Sequence, residues 1–274
     1  MSKKNKIIDI IINKLDKNKN FLKNLWLNPE KTKINHFIID DLLPNDICEN
    51  IYDNFPRKED IFYQRKSFRE KKKTCAKLKD LSPILSDITY AFHDQRILKL
   101  ISEITNIKKL EADKNLYAGG LSVMTKGDYL NPHIDNSHDM YREKYRRLNL
   151  LYYVSKNWNY QDGGNLELWD QNLRTPKVIV SKFNRLVVMN TNKQSWHSVN
   201  KVLKEKRRCC VSNYYFSSES PDINNEYFHV TSFTGRPEEK IKKIVGVADN
   251  FLRNIKKNQS ESSNSYLDTR PISG

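Results

Sequence analysis

The stretch GDYLNPHIDN, residues 127–136, is the most informative part of the sequence. It places a histidine and an aspartate two positions apart in an extended segment. In an extended backbone, residues i and i+2 project from the same face. His133 and Asp135 would therefore present an imidazole and a carboxylate to one point, while Ile134 turns to the opposite layer. A pair of this kind is common by chance, so its meaning depends on the rest of the chain.

A second histidine, His197, lies in the pentapeptide SWHSV, directly after the apolar run FNRLVVMNT of residues 183–191. Two imidazoles and one carboxylate on one face of a metal ion leave three adjacent coordination positions open. This facial triad is typical of non-haem iron oxygenases. A closed structural zinc site needs a fourth ligand, and no cysteine lies near these three residues in the sequence.

The region around these residues consists of short β-forming runs separated by turn residues. The runs cover residues 116–124, 147–154, 165–169, 177–180, 185–189 and 209–216. Several short strands at this spacing favour an all-β sandwich or barrel over a βαβ fold. The sequence therefore predicts a β core over residues 115–220.

The flanking regions have different patterns. The helical spacing of apolar residues predicts helices over residues 3–20, 45–55 and 82–105, with Asn45 as an N-cap. Residues 35–43 favour a strand, and the charged residues 56–80 favour a loop or an exposed segment. Together, residues 1–114 are predicted to be a helical support region. Residues 221–258 are predicted to be a helical extension with Ile241, Ile244, Val247 and Phe251 on one face, and residues 259–274 a disordered tail.

The chain of 274 residues has a formal net charge of +15, from 48 basic and 33 acidic residues. This charge fits a solvated, Lys- and Asn-rich surface or, as the second alternative, attraction to an anionic partner, and no zinc-finger or arginine-rich motif points to nucleic acid. The four cysteines form no CxxC pair, which favours a reducing compartment. The apolar run of residues 7–12 is too short for a signal peptide or a membrane span. The sequence thus predicts a cytoplasmic protein without a membrane partner.

A cation is expected near the triad if a 2-oxo acid binds there, and arginine suits a carboxylate because its planar fork pairs at two points. Arg207 and Arg208 follow His197 on the next predicted strand. Side chains alternate along a strand, so only one of the two can point inward.

Residues 121–216 resemble the prolyl-4-hydroxylase-like branch of the 2-oxoglutarate, iron(II)-dependent oxygenases. The matching segments, in order, are GDYLNPHIDN, RRLNLLYYVSKNW, DGGNLELWD, FNRLVVMNT, SWHSV and RRCCVSNYYF. The resemblance implies a mainly β fold: a double-stranded β-helix, or jelly-roll, core with N-terminal flanking helices and a C-terminal helix. It also implies iron(II), the cosubstrate 2-oxoglutarate and dioxygen, with ascorbate as a supporting reductant.

The resemblance also implies roles for individual residues. His133, Asp135 and His197 fall on the family's iron ligands, and Arg208 falls on the basic residue that pairs with the C5 carboxylate of 2-oxoglutarate. Tyr153 falls where a tyrosine hydroxyl contacts the same carboxylate. One departure is that many relatives carry a tyrosine where this chain has Val123 or Met124. Asp135 occupies the position that halogenating relatives leave small, which implies hydroxylation or another oxidation.

Three functions remain open at this point. The first is hydroxylation of an unactivated C–H bond in a prolyl or peptidyl, amino-acid or sugar-linked substrate, with release of succinate and carbon dioxide. The second is a cupin-type metal-dependent isomerase or hydrolase, which would not need Arg208. The third is a catalytically silent β-barrel binding module. The basic residues of loop 136–147 fit either an anionic substrate or a solvated loop.

Overall fold

A curled antiparallel sheet of thirteen strands organises the chain in the computed structural model, which describes residues 2–222, 227–239, 241–246 and 250. The strands are β1 (His36–Asp40), β2 (Tyr63–Lys66), β3 (Glu70–Cys75), β4 (Leu110–Ala112), β5 (Gly120–Met124), β6 (Tyr129–Ile134), β7 (Tyr145–Tyr153), β8 (Leu166–Trp169), β9 (Pro176–Ile179), β10 (Arg185–Asn190), β11 (His197–Val199), β12 (Arg208–Ser217) and β13 (Ser232–Phe233).

Five helices precede most of the sheet: α1 (Lys3–Lys17), α2 (Lys19–Leu27), α3 (Asn45–Asp53), α4 (Pro83–Ala91) and α5 (Gln95–Thr105). Short 3-10 turns lie at Glu30–Thr32, Glu59–Ile61 and Tyr160–Asp162. Residues 241–246 are also helical. None of the described helices combines the length and the apolar character that crossing a membrane requires.

The order of the strands is that of a jelly roll. The main path runs β1-β10-β7-β12-β5-β3-β6-β11-β8-β9, and all of its pairs are antiparallel. The sheet curls so that β6, β11, β8 and β9 form a second layer opposite β7, β10 and β12. The mainly β fold with flanking helices that the sequence predicts is therefore confirmed.

The largest hydrophobic cluster lies between the helices and one face of the sheet. Its members include Ile11 of α1, Leu85 of α4 and Ile101 of α5, packed with Leu150 and Tyr152 of β7. The opposite face of β7 carries Asn149, Leu151 and Tyr153 into the barrel, as alternation requires. The helices thus support one side of β7 and leave its other side for a site.

The prediction of a loop over residues 56–80 is wrong, because β2 and β3 form a hairpin there and β3 joins the main sheet through β5 and β6. The hairpin has few apolar residues, so its sequence lacks the alternation that marks a strand. Ion pairs replace apolar contacts: Arg65 and Lys72 pair with Glu70, and Lys71 and Lys73 lie against Asp128.

The helical predictions need smaller corrections. The first predicted helix divides at Asn18 into α1 and α2. Asn45 is the first residue of α3 and makes no capping hydrogen bond, because Pro44 occupies the cap position. Ile241 and Ile244, which the sequence predicts to share one helix face, are exposed. Val247, Phe251 and the predicted disordered tail lie outside the described residues.

Gly120 allows β5 to approach β3 closely. Its φ is +105°, and a Cβ atom there would lie 2.3 Å from the carbonyl oxygen of Cys75. We expect Gly120→Ala to lower the free energy of unfolding by about 2–5 kcal/mol, from left-handed strain and overpacking together. Urea denaturation measures this. Gly127→Ala is the matched control, since Gly127 also has a positive φ but open space around it, and its cost should stay near 1–2 kcal/mol.

Candidate active site

The two histidines and the aspartate that the sequence singles out lie together in the structure. His133 near the end of β6 pairs directly with His197 at the start of β11, and their ring centroids are 4.1 Å apart. Asp135 follows β6, with Oδ1 3.5 Å from Nε2 of His133 and Oδ2 3.7 Å from Nε2 of His197. One ligand atom from each residue lies within 4.8 Å of the others, and all three side chains are buried.

Backbone carbonyls fix the tautomer of both imidazoles. Nδ1 of His133 lies 3.0 Å from the carbonyl oxygen of Asn131, and Nδ1 of His197 lies 2.8 Å from that of Ser195. A carbonyl oxygen only accepts, so Nδ1 carries the proton in each ring. The lone pair of each Nε2 is thereby directed to the shared point, as in most metal-binding histidines.

The charges around this point also suit a cation. Burial raises the pKa of Asp135, but its close contact with His133 and the positive charge of Arg146 hold that pKa well below its usual value, so the carboxyl stays ionised. Burial and the neighbouring His133 lower the pKa of His197 to about 4, which keeps its imidazole neutral at physiological pH. Oδ2 of Asp135 is buried and has no hydrogen-bond partner among the described residues. An orphaned carboxylate oxygen beside the Nε2 atoms of two imidazoles fits a divalent metal ion.

Arg208, the first residue of β12, lies inside the barrel with 3% of its surface exposed. Its Nε donates to the carbonyl oxygen of Gly164 at 2.6 Å and to Oγ of Ser181 at 3.0 Å, which orients the guanidinium. Nη2 lies 3.3 Å from the hydroxyl of Tyr153. Among the described residues no carboxylate forms an ion pair with Arg208, so this buried cation lacks an anion.

The stem of Arg208 packs against Gly164 in the segment DGGNLELWD. A Cβ atom at Gly164 would lie 3.0 Å from Cδ of Arg208, and the φ of Gly164 is +62°. Met124 places its sulfur 3.6 Å from Nη1 of Arg208. Burial raises the pKa of Tyr153, so its hydroxyl keeps a proton to donate.

Arg207 points away from Arg208, as strand alternation predicts. It is half-buried, and its guanidinium donates to the carbonyl oxygen of Pro56. Three further histidines, His36, His93 and His229, lie outside both the triad and loop 136–147 and make ordinary hydrogen bonds. His36 hydrogen-bonds the carbonyl of Ile34, His93 bonds Asn213, and the His229 backbone bonds Ser137.

The hairpin of β2 and β3 contributes a charged wall that the sequence did not reveal. Glu70 is partly buried, and burial raises its pKa, but Lys72 and Arg65 lower it to about 2. His133 helps to lower the pKa of Glu70, and Lys72 helps to lower the pKa of His197, so this wall adjoins the triad. Alternation of side chains along β3 would have indicated this charged wall only if residues 70–75 had first been identified as a strand.

Residues 227–239 form a second element that the sequence did not reveal, and we call them the strap. Within the strap, β13 pairs with β6, so that Phe233 lies opposite His133 and stacks on its ring at 5.1 Å. The strap is held by an ion pair of 2.6 Å between Arg236 and Glu167. The backbone of Phe233 is also bonded at both its N–H and its carbonyl by the side chain of Asn250.

Phe233 is expected to position the His133 ring. Replacing Phe233 with alanine should weaken metal binding by about 10-fold, within the range for residues that orient a ligand. Phe233→Leu keeps an apolar side chain over the ring and should cost less. Anaerobic titration of iron(II) against a competing chelator measures both. Equal affinity in the alanine variant and the unaltered protein would show that stacking does not orient the ring.

Residues 119–216 match the family model of the 2OG-Fe(II) oxygenase superfamily. None of the curated proteins compared with the chain matches its sequence. A Pseudomonas putida prolyl-4-hydroxylase is similar in structure, with a TM-score of 0.53, 13% identity and coverage of 72% of this chain and 99% of the other.

Two further solved structures are similar. A prolyl 4-hydroxylase from Phytophthora capsici has a TM-score of 0.53 and 16% identity, over 90% of this chain and 75% of the other. HygX from Streptomyces hygroscopicus, with nickel and 2-oxoglutarate bound, has a TM-score of 0.51 and 14% identity, over 76% of this chain and 96% of the other. The family match over residues 119–216, with the jelly-roll fold and the clustered histidines and carboxylate, makes this part of the chain similar to the 2OG-Fe(II) oxygenases and indicates a 2-oxoglutarate-dependent dioxygenase with iron(II) as its metal.

Proposed function

We propose that the chain hydroxylates an unactivated C–H bond, with His133, Asp135 and His197 holding iron(II) and Arg208 with Tyr153 holding 2-oxoglutarate. The observation that carries the proposal is the buried guanidinium of Arg208, which has no acidic partner among the described residues and lies in the same barrel as the triad. A cupin-type isomerase or hydrolase would need the triad but not this cation. A silent binding module would need neither.

The residues divide the work between them. Nε2 of each histidine and the orphaned oxygen of Asp135 would bind the metal, whose three other positions stay free for ligands. The Nη atoms of Arg208 and the Tyr153 hydroxyl would bind the C5 carboxylate of 2-oxoglutarate. Bound iron(II) supplies the activation of dioxygen that is coupled to decarboxylation of the cosubstrate. The buried triad excludes water, and the barrel holds the reacting groups in place.

The overall reaction balances with one cosubstrate per turnover. One oxygen atom of dioxygen enters the substrate as hydroxyl, and the other enters succinate as 2-oxoglutarate loses carbon dioxide. The substrate is proposed to be a peptidyl prolyl group, an amino acid or a sugar-linked molecule, and ascorbate is proposed to keep the iron reduced. The domain division at residues 114/115 and 220/221 and a cytoplasmic location also stay predictions.

The test is succinate release from 2-oxoglutarate by the purified protein with iron(II) and ascorbate. A panel of prolyl peptides, amino acids and sugar conjugates is then screened for higher succinate release, and each hit is checked by mass spectrometry for the gain of one oxygen atom. The protein without added iron is the control. No iron-dependent succinate under any of these conditions would contradict the proposal.

A further inference from the structure

Arg146 is a second buried arginine of the barrel, and the proposed cosubstrate pocket does not use it. Its exposed fraction is 2%. The carbon of its guanidinium lies 4.3 Å from the ring centroid of Tyr214 and 5.7 Å from that of Phe216. These rings hold the guanidinium by cation–π contact. Its ion-pair contact among the described residues is to Asp135, with Nη1 3.6 Å from Oδ2.

A β-bulge directs Arg146 into the barrel. In the pairing of β7 with β12, Leu148 lies opposite Tyr215, but Arg146 lies opposite Phe216, which leaves Arg147 as the extra residue. Simple alternation would place Arg146 with Leu148, on the face that packs against the helices. The extra residue reverses this, and Arg146 joins the inward face of β7. A bulge next to an active site commonly redirects a side chain in this way.

Arg146 and its neighbour Asn149 keep polar atoms that no group in the described part of the chain satisfies. Nε and Nη2 of Arg146 are buried without a hydrogen-bond partner, and so is Oδ1 of Asn149, whose amide nitrogen donates to the Tyr214 hydroxyl. Buried donors of a charged group are costly to leave unpaired. In the proposed function Asp135 would share its charge with the metal, which would leave Arg146 able to pair with another anion.

The position of Arg146 separates it from the pocket of Arg208. Arg208 is the first residue of β12, whereas Arg146 lies opposite Phe216 near the end of that strand. Eight residues of extended chain span roughly 25 Å of backbone. The two arginines therefore project from backbone positions near opposite ends of the barrel. Arg142 and Lys193 add exposed positive charge beside Phe228 and Tyr227 of the strap.

We propose that Arg146 and Asn149 form a subsite for an anionic group of the substrate, a carboxylate or a phosphate, beside the metal ligand Asp135. Arg146 would bind the oxyanion at two points, and exposed Arg142 and Lys193 would attract it. This inference rests on the proposed function, because it takes the triad as the metal site. It assigns the substrate to anionic molecules and places the anion near the carbon to be oxidised.

The test uses the full chain with manganese(II) in place of iron and with 2-oxoglutarate bound. Inorganic phosphate and acetate are titrated separately, and paramagnetic relaxation of their phosphorus and carbon NMR signals reports binding near the metal. Arg146→Met should weaken anion binding by roughly tenfold or more, the loss typical of a charge-assisted pair. Arg146→Lys should bind the anion with an affinity between those of the unaltered protein and Arg146→Met, because lysine keeps the charge but lacks the planar fork of the guanidinium.

Arg147→Met is the matched control. Arg147 is adjacent and half-buried, and its guanidinium donates to the carbonyl of Glu219, so anion binding should change less than about twofold, as for a screened charge. Preference for phosphate or for acetate then distinguishes a phosphorylated from a carboxylated substrate. Circular dichroism and manganese affinity check that each variant is folded and keeps its metal.

Two results would overturn the inference. Unchanged relaxation in Arg146→Met would mean that the anion binds the metal directly or is an adventitious ion only. A rise in the KM for 2-oxoglutarate in that variant, without a change in phosphate binding, would place Arg146 in the cosubstrate pocket. Failure of the unaltered protein to release succinate would contradict the proposed function alone, since the relaxation measurement does not depend on turnover.

Discussion

Replacing His197 with alanine is expected to abolish succinate formation from 2-oxoglutarate and to leave the fold intact. The imidazole is one of three proposed protein ligands, and its Nδ1 proton is already committed to Ser195. Loss of a direct ligand costs more than the roughly 10–100-fold that loss of an orienting residue costs. The barrel rests on its apolar layers, so unfolding should change little. Iron affinity and succinate release are measured together.

His36→Ala is the matched control for that change. His36 is also a buried, hydrogen-bonded histidine, but it lies on β1 and contacts Ile34, away from the triad. Any general cost of removing a buried imidazole should appear in both variants, and loss of iron only in His197→Ala. Substantial iron-dependent succinate from His197→Ala would mean that the triad is not the metal site.

Arg208→Ala is expected to raise the KM for 2-oxoglutarate by about 30-fold or more. Truncating one partner of a buried charge pair costs about 2–5 kcal/mol, and 1.4 kcal/mol corresponds to a factor of ten. The variant also loses the bonds to Gly164 and Ser181, so some stability is lost as well. Arg208→Lys should give an intermediate KM, because lysine keeps the charge without the planar fork.

Arg207→Ala is the control that separates an effect on the KM for 2-oxoglutarate from an effect on stability. Loss of the hydrogen bond from Arg207 to the Pro56 carbonyl should lower the free energy of unfolding by about 0.5–1.5 kcal/mol. The KM for 2-oxoglutarate should stay near that of the unaltered protein. The measurement is a steady-state titration of 2-oxoglutarate with iron saturating. A large KM effect at Arg207 and none at Arg208 would contradict the assignment of the cosubstrate pocket.

Much of the core could be predicted because its strands follow simple periodicity. The apolar runs that became β7, β10 and β12 lie within a few residues of their predicted bounds. The convergence of His133 with Asp135 follows from alternation, and the inward direction of Arg208 follows from the register of β12. The meeting of these residues with His197 needed the pairing of β6 and β11, which only the resemblance implied.

What the sequence could not indicate depends on tertiary contacts. The hairpin of β2 and β3 is stabilised by ion pairs, and a pattern of charges does not distinguish a strand from a solvated loop. β13 has two residues, too few for any periodicity. The inward turn of Arg146 arises from the extra residue Arg147, and a bulge breaks the alternation on which sequence-based predictions of strand faces depend.

The partners of β6 come from widely separated parts of the chain, and this has a consequence for folding. β6 pairs with β3 at residues 70–71, with β11 at residues 197–199 and with β13 at residues 232–233. Such a high contact order predicts slow folding, since long loops must close before these pairs form. During synthesis, β6 would leave the ribosome well before β11 and β13 and would keep an unpaired edge. We therefore expect the newly made chain to be prone to aggregation until residue 233 has emerged, and to acquire its metal only after that.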